Sequence, residues 1–174
     1  VGILNADNAL YSTDFRASER LFAQLMQVAG RAGRANVAGH VLIQTEFPDH
    51  SLYQALQRHD YDALAQTLLA ERKTAGFPPY VFQALLRAEA NDIRAVLDFL
   101  SQAKQLAQSF ETVELFDPVP AHMVRLKGLE RGHVLVQSPS RKRLQTFLTG
   151  WYAKLMTLPG QKVRWVLDVD PLEF

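Results

Sequence analysis

The segment Gln27-Val28-Ala29-Gly30-Arg31-Ala32-Gly33-Arg34 sets one amide and two guanidiniums at i, i+4 and i+7. On a continuing helix these three side chains leave from one face. Gly30 and Gly33 remove side chains beside the arginines, so a bulky polyphosphate or another domain can approach the backbone closely. Two forked guanidiniums on one side can bind a γ-phosphate and stabilise charge while it is transferred. The plainer alternative is a helix C-terminus with glycine caps and favourably placed terminal arginines.

A second chemical signal lies between residues 122 and 145. Six bases fall there (Arg125, Lys127, Arg131, Arg141, Lys142, Arg143), with His122 and His133, against the single acid Glu130. Such a cluster binds an anion even in a neutral chain, or is simply a solvated basic face. Arg141, Lys142 and Arg143 follow Ser138-Pro139-Ser140, a pattern that starts a helix. Cations in a first helical turn oppose the macrodipole at ~0.3–1 kcal/mol each, so three there call for a compensating anion. Ser138, Ser140 and Arg141 could hold a phosphate or carboxylate, with Gln145 one turn after Arg141.

Composition bounds the rest. The chain has 174 residues, 48% hydrophobic and 21% charged, with a net charge of +1. That is ordinary globular usage, with enough apolar material for a core. No apolar run approaches the ~18 residues of a membrane span. The absence of cysteine excludes disulfides, thiolate metal sites and a cysteine nucleophile. The opening VGILNADNAL has neither an initiator Met nor a basic n-region, and reads as the middle of a domain rather than a signal peptide. Residues 1–80 carry seven Lys/Arg and eight Asp/Glu; residues 81–174 carry twelve and ten.

The elements that position these groups follow from periodicity. Val1–Leu4 predicts a strand. Asp14 can cap a helix whose apolar residues Leu21, Phe22, Leu25, Met26 and Val28 recur at helical spacing as it runs toward Gly30. His40–Thr45 predicts a second strand, and residues 52–69 two more helices. Gly76-Phe77-Pro78-Pro79 breaks the pattern, giving a first part at 1–75, a boundary at 76–80 and a second part at 81–174. Beyond it the expected order is strand 81–89, a helix capped by Asn91 or Asp92, strand 113–116, a loop 118–131, strand 133–137, a helix and strand 163–169. That order, β-α-β-β-α-β, is the split βαβ or ferredoxin-like arrangement. The class is α/β for the first part, βαβα, and α+β for the second.

QVAGRAGR resembles motif VI of superfamily 2 helicases. The longer string LNADNALYSTDFRASERLFAQLMQVAGRAGRA, with GHVLIQT, ERKTAGFPPY, DPVPA, SPSRKRLQ and the terminal WVLDVDP, is similar to the primosomal protein N′ (PriA) family of replication-restart helicases. The resemblance covers essentially the whole chain. It implies the end of a second RecA-like helicase lobe followed by a C-terminal domain with a ribosomal S10-like fold. It implies an ATP-dependent 3′→5′ DNA helicase that assembles primosomes at stalled forks in the bacterial cytoplasm. Gln27, Gly30, Arg31 and Arg34 match the nucleotide-facing positions, with Arg31 and Arg34 the catalytic pair and Arg34 the arginine finger. Asp7 and Asp14-Phe15-Arg16 match the stretch before motif VI, where they order the lobe or touch DNA. The partners implied are forked DNA, the acidic C-terminal tail of single-stranded DNA-binding protein, and other primosome proteins. Both anionic partners suit Arg125, Lys127, Arg131, Ser140, Arg141, Lys142, Arg143 and Gln145.

The chain lacks a GxxxxGK[ST] loop and a DExH-type box, so ATP, Mg²⁺ and the family's structural zinc belong to the parent protein and no metal site is expected here. An arginine finger without its nucleotide cradle stabilises a transition state that never forms. The alternative is a non-enzymatic βαββαβ interaction domain with a remnant helicase segment. The short first part is expected to dock its open sheet edge on the second part or to self-associate. Asp117 and Glu130 stand where the family commonly has glycine and an aromatic; the acids weaken attraction to phosphate and the lost ring removes a stacking surface. His40, His50 and His59 lack ligand spacing, Trp151 and Trp165 lie on apolar stripes, and Asp168 and Asp170 alternate with strand residues toward solvent or the strand end.

Overall fold

A computed structural model describes residues 1–12, 14–32, 40–107, 113–126, 128–158 and 162–172, with residues 122–126 described in backbone alone. The chain divides into two compact units, Val1–Phe77 and Pro78–Phe174.

The first unit runs β1 (Gly2–Ile3), a 3-10 turn (Ala6–Ala9), α1 (Ala17–Arg31), β2 (Leu42–Ile43), α2 (Ser51–Arg58) and α3 (Tyr61–Ala75). β1 and β2 are parallel, with Gly2 opposite Leu42 and Ile3 opposite Ile43. Parallel strands need a crossover between them, and α1 supplies it. The core takes Leu21, Phe22 and Leu25 from α1, Leu52, Tyr53, Ala55 and Leu56 from α2, and Leu64 from α3. Asp14 does not cap α1. The N-cap position is Arg16. The Asp14 carboxylate instead accepts from the Arg16 backbone N–H at 2.9 Å and pairs with Arg20 at 2.9 Å, fixing the turn one step upstream. α2 is capped by His50, whose Nδ1 accepts from Leu52 N–H at 3.2 Å, and α3 by Asp60, which accepts from Ala63 N–H at 3.0 Å.

The second unit runs β3 (Phe82–Ala90), α4 (Ile93–Ala107), β4 (Glu114–Leu115), β5 (Val119–Leu126), β6 (Leu129–Ser138), α5 (Arg141–Leu155) and β7 (Arg164–Val169). The sheet order is β4-β6-β3-β7, with β5 also on β6 and every pair antiparallel. The expected loop 118–131 is therefore a hairpin, and one strand is added to the order read from sequence. The reason is local. Gly128, at φ +84°, turns the chain tightly between Leu126 and Leu129. β5 is an irregular edge strand, so it tolerates Pro120 and shows little apolar alternation.

Residues of even number on β3 and β6 (Ala84, Leu86, Ala88, Ala90, Val134, Val136) pack under Val96, Phe99, Leu100 and Ala103 of α4 and Leu144, Phe147, Leu148, Trp151 and Leu155 of α5. Odd-numbered residues point to the other face of the sheet. Trp151 is fully buried, and its indole N–H donates to the Ala103 carbonyl at 2.8 Å. Trp151→Ala removes both ring and donor and is expected to destabilise the second unit by about 3–5 kcal/mol. Urea unfolding followed by circular dichroism measures this; a loss below about 1 kcal/mol would contradict the central place given to this ring.

Candidate functional site

α1 is amphipathic in a way that settles where its motif residues point. Leu21, Phe22 and Leu25 are buried, while Ala23, Gln24, Gln27, Gly30 and Arg31 are exposed. Gln27 and Arg31 thus share the solvent face one turn apart. Arg31 makes no hydrogen bond or ion pair with any described residue. A Cβ built on Gly30 would meet nothing within 4 Å, so no packing among the described residues requires a glycine there. Glycine near a helix end costs stability relative to alanine, about 0.5–1 kcal/mol in a helix interior. Arg34 lies outside the described residues.

Asp7 is tied into its own unit. Thr45 Oγ1 donates to it at 2.6 Å, Tyr53 Oη at 2.8 Å and the Glu46 N–H at 2.7 Å. The carboxylate thereby clamps the 3-10 turn to the end of β2 and to α2. The Thr45 hydrogen bond, helped by Glu46 N–H and Tyr53, holds the Asp7 carboxyl below its ordinary pKa against a partial desolvation effect. Burial, then the bond to Asp7, pushes Tyr53 up to about 12. Phe15 fills a second junction. Its ring stacks on Phe77 (centroids 5.3 Å, 16°) and lies under the guanidiniums of Arg16 at 4.3 Å and Arg72 at 4.9 Å. Arg72 also donates to Glu19 at 2.8 Å and to the Phe15 carbonyl at 3.3 Å.

The basic residues of the second unit do not form one patch. Arg131 projects from the sheet near the hairpin end of β6. Arg125 lies on β5 opposite Glu130, its side chain outside the description, and Lys127 lies outside the described residues. Ser140 is the N-cap of α5, its hydroxyl accepting from the Arg143 N–H at 3.4 Å. Arg141, Lys142 and Arg143 fill the first turn, exposed, with Gln145 exposed one turn later. The seven steps along β6 from Arg131 to Ser138 separate the two groups by about 23 Å. Arg141 has partners within the chain: its guanidinium lies 3.3 Å from Asp170 and 4.9 Å over the Phe82 ring. Lys142 and Arg143 have no side-chain ion pair among the described residues. Asp117, the added acid, lies 2.6 Å from Lys104.

Several polar groups escaped the sequence reading. Asp168 pairs with Arg87 at 3.1 Å, so neither Asp168 nor Asp170 merely faces water. His133, across from Arg87 on β6, has its pKa lowered by burial and then by the positive charges of Arg87 and Arg131. Signals for these pairs exist only in the strand register, which brings together residues up to 81 positions apart. No group of three metal-ligating side chains is clustered among the described residues. None of their helices is long and apolar enough to cross a membrane.

The family described as "Primosomal protein N C-terminal domain" matches residues 73–172. The chain belongs to this family. Among PriA proteins, the Replication restart protein PriA of Haemophilus influenzae is 41% identical over 173 residues, which is 98% of this chain and 24% of that protein. The Bacillus subtilis protein of the same name is 42% identical over 150 residues, 85% of this chain and 19% of its own length. The Synechocystis protein is 33% identical over 182 residues, 99% of this chain and 20% of its own length. The chain thus spans about a quarter or less of these PriA relatives.

The Asp7 clamp has a measurable signature. Tyr53 holds its proton to about 12, so the stabilisation from this contact is complete below pH 10 and is lost as pH rises toward 12. Asp7, held below its ordinary value, contributes stability above that value and loses it as pH falls through the folded one. Ultraviolet titration of the five tyrosines, minus that of Tyr53→Phe, should show one late group. Asp7→Asn should move that group toward 10; an unmoved midpoint would remove Asp7 from the clamp.

Proposed function

We propose that the chain is part of an ATP-dependent 3′→5′ DNA helicase of replication restart. In this reading its first unit is the end of a RecA-like motor lobe, and its second is a ferredoxin-like or S10-like module for forked DNA and protein partners. The parallel β1-α1-β2 crossover supports the first fold reading, and the β4-β6-β3-β7 antiparallel order supports the second. The names of the PriA relatives support the restart role.

The observation that carries the motor reading is the exposed face of α1. Among the described residues, Gln27 and Arg31 have no hydrogen-bond or ion-pair partner, and none lies within 4 Å of a Cβ built on Gly30. An arginine with no bond to a described residue is available to a charge supplied from outside. A glycine with nothing described within 4 Å of its Cβ position leaves room for something to come close. Arg31 and Arg34 then meet the γ-phosphate of an ATP whose cradle and Mg²⁺ are held by another lobe, Arg34 as the finger that neutralises charge during transfer.

In the second unit, Lys142 and Arg143 stand at a helix N-terminus without a counter-charge among the described residues. Phosphate groups of forked DNA supply that charge, as does the acidic tail of single-stranded DNA-binding protein. Both partners compete for the end of α5 formed by Ser140, Arg141, Lys142, Arg143 and Gln145. Arg125, Lys127 and Arg131 form a separate contact.

This chain alone should give no DNA-stimulated ATP turnover. In the full-length protein, Arg34→Ala should lower kcat at least roughly a thousandfold with fork affinity retained. Gly30→Ala should raise the thermal stability of this chain while lowering turnover in the full-length protein. Turnover by the chain alone, or an unchanged kcat in Arg34→Ala, sinks the motor reading. For the second unit, fork-DNA affinity should fall linearly on a log–log salt plot, and Arg141→Glu with Arg143→Glu should abolish it. A flat salt plot argues against phosphate contacts, and loss of an acidic-tail peptide alone assigns the site to protein.

A further inference from the structure

The face of the second unit's sheet turned away from α4 and α5 carries a concave site, of which the proposed function uses only Arg131. In strand register, Arg131 on β6, Glu89 on β3 and Arg164 on β7 form one row, and His133, Arg87 and Val166 form the next. Neighbouring strands lie ~4.8 Å apart, so the two outer arginines start about 10 Å from each other, with the Glu89 carboxylate between them. Asp168, two positions along β7 from Val166, draws the Arg87 guanidinium away from the first row with contacts at 3.1 and 3.2 Å. The space left is a cleft of about 220 Å³ walled by these two rows.

The cleft's chemistry is mixed in an ordered way. Arg131 has no ion pair among the described residues, and Arg164 is held only loosely, 3.9 Å from Glu89. Two forked donors are thus available at the rim. The half-exposed Glu89 accepts no hydrogen bond from any described residue. His133 is half-buried and kept neutral at neutral pH by its surroundings, so it can both donate and accept. Val166, 55% exposed, supplies an apolar wall.

We propose that this cleft binds one unpaired nucleotide of a single-stranded nucleic acid, with phosphate on Arg131 and Arg164 and the base edge on Glu89. The volume is below the ~300–1,000 Å³ of pockets that take drug-sized ligands, so it admits one base rather than a duplex or a folded element. Guanidinium forks suit phosphate. A carboxylate acceptor suits a base that offers an amino group, such as cytosine N4 or an adenine or guanine amine, and disfavours thymine. An acidic peptide is the poorer fit, because its carboxylates offer Glu89 no donor and meet Glu89 and Asp168 as like charges. The inference rests on the reading of this unit as a DNA-binding module and adds where a single strand is read.

The test uses the whole chain, with fluorescently labelled oligo(dC), oligo(dT) and an abasic oligomer of equal length, and forked duplex DNA alongside. Oligo(dC) should bind roughly fivefold or more tightly than oligo(dT), and the abasic strand more weakly than either. Glu89→Gln should bring the dC-to-dT ratio toward one. Arg164→Ala, a change at an 81% exposed side chain that the fold does not need, should weaken all the base-bearing oligomers and lower the salt slope by about one. Forked duplex affinity, assigned to the end of α5, should be unchanged by both variants. Equal binding of oligo(dC) and the abasic strand, or a dC-to-dT ratio untouched by Glu89→Gln, overturns the proposal while leaving fork binding intact. Competition by poly-glutamate that Arg164→Ala abolishes would assign the cleft to an acidic peptide and equally overturn it. Loss of all DNA binding in the unaltered chain would instead defeat the DNA reading itself.

Discussion

Burial of one face of α1 is the constraint on which the proposed motor role depends. Leu21, Phe22 and Leu25 must meet Leu52, Tyr53 and Leu56 of α2, and the 3.6-residue period then leaves Gln27 and Arg31 no direction but outward. The helix cannot rotate to pair Arg31 internally without exposing that apolar stripe. The start of the helix is held as well. Asp14 and the Phe15–Arg72–Phe77 stack secure its start, and Asp7 ties the preceding turn to β2 and α2. A guanidinium that must meet a phosphate gains from such anchoring, because orientation fixed during folding need not be created during reaction.

The two glycines with the clearest surroundings show how differently the same residue is used. On β6, a Cβ at Gly132 would lie 3.0 Å from the Val119 carbonyl and 3.1 Å from Val96 of α4, so the close approach of strand and helix accounts for the residue. At Gly30 no described residue comes so near. Packing among the described residues therefore accounts for Gly132 and not for Gly30.

How much was legible in sequence follows the range of the interactions. The direction of Gln27 and Arg31 was readable because a helix converts spacing of four into a shared face. The start of α5 was readable because Ser140 caps locally. The hairpin of β5 was not, because an edge strand needs no apolar alternation and Pro120, His122 and Arg125 resemble loop composition. Nor were the pairings Arg87–Asp168 and Arg141–Asp170, which arise only once antiparallel register brings distant strands together. The same limit concealed the row Arg131–Glu89–Arg164, whose members are scattered along the sequence and adjacent only in the sheet.

Charge in the second unit is organised by that register rather than by sequence proximity. The six bases between residues 125 and 143 look like one cluster on paper, yet about 23 Å of β6, from Arg131 to Ser138, carries them toward opposite ends. At ordinary salt the Debye length is ~8–10 Å, so the two ends act as separate sites and not as a shared field. The internal acids narrow each site further. Asp170 engages Arg141 and Asp117 lies against Lys104, leaving Lys142 and Arg143 at one end and Arg131 at the other as the cations without an internal counter-charge among the described residues. In the proposed function, anion binding therefore falls to a few guanidinium and ammonium groups, and the strand between them sets the spacing a ligand would have to match.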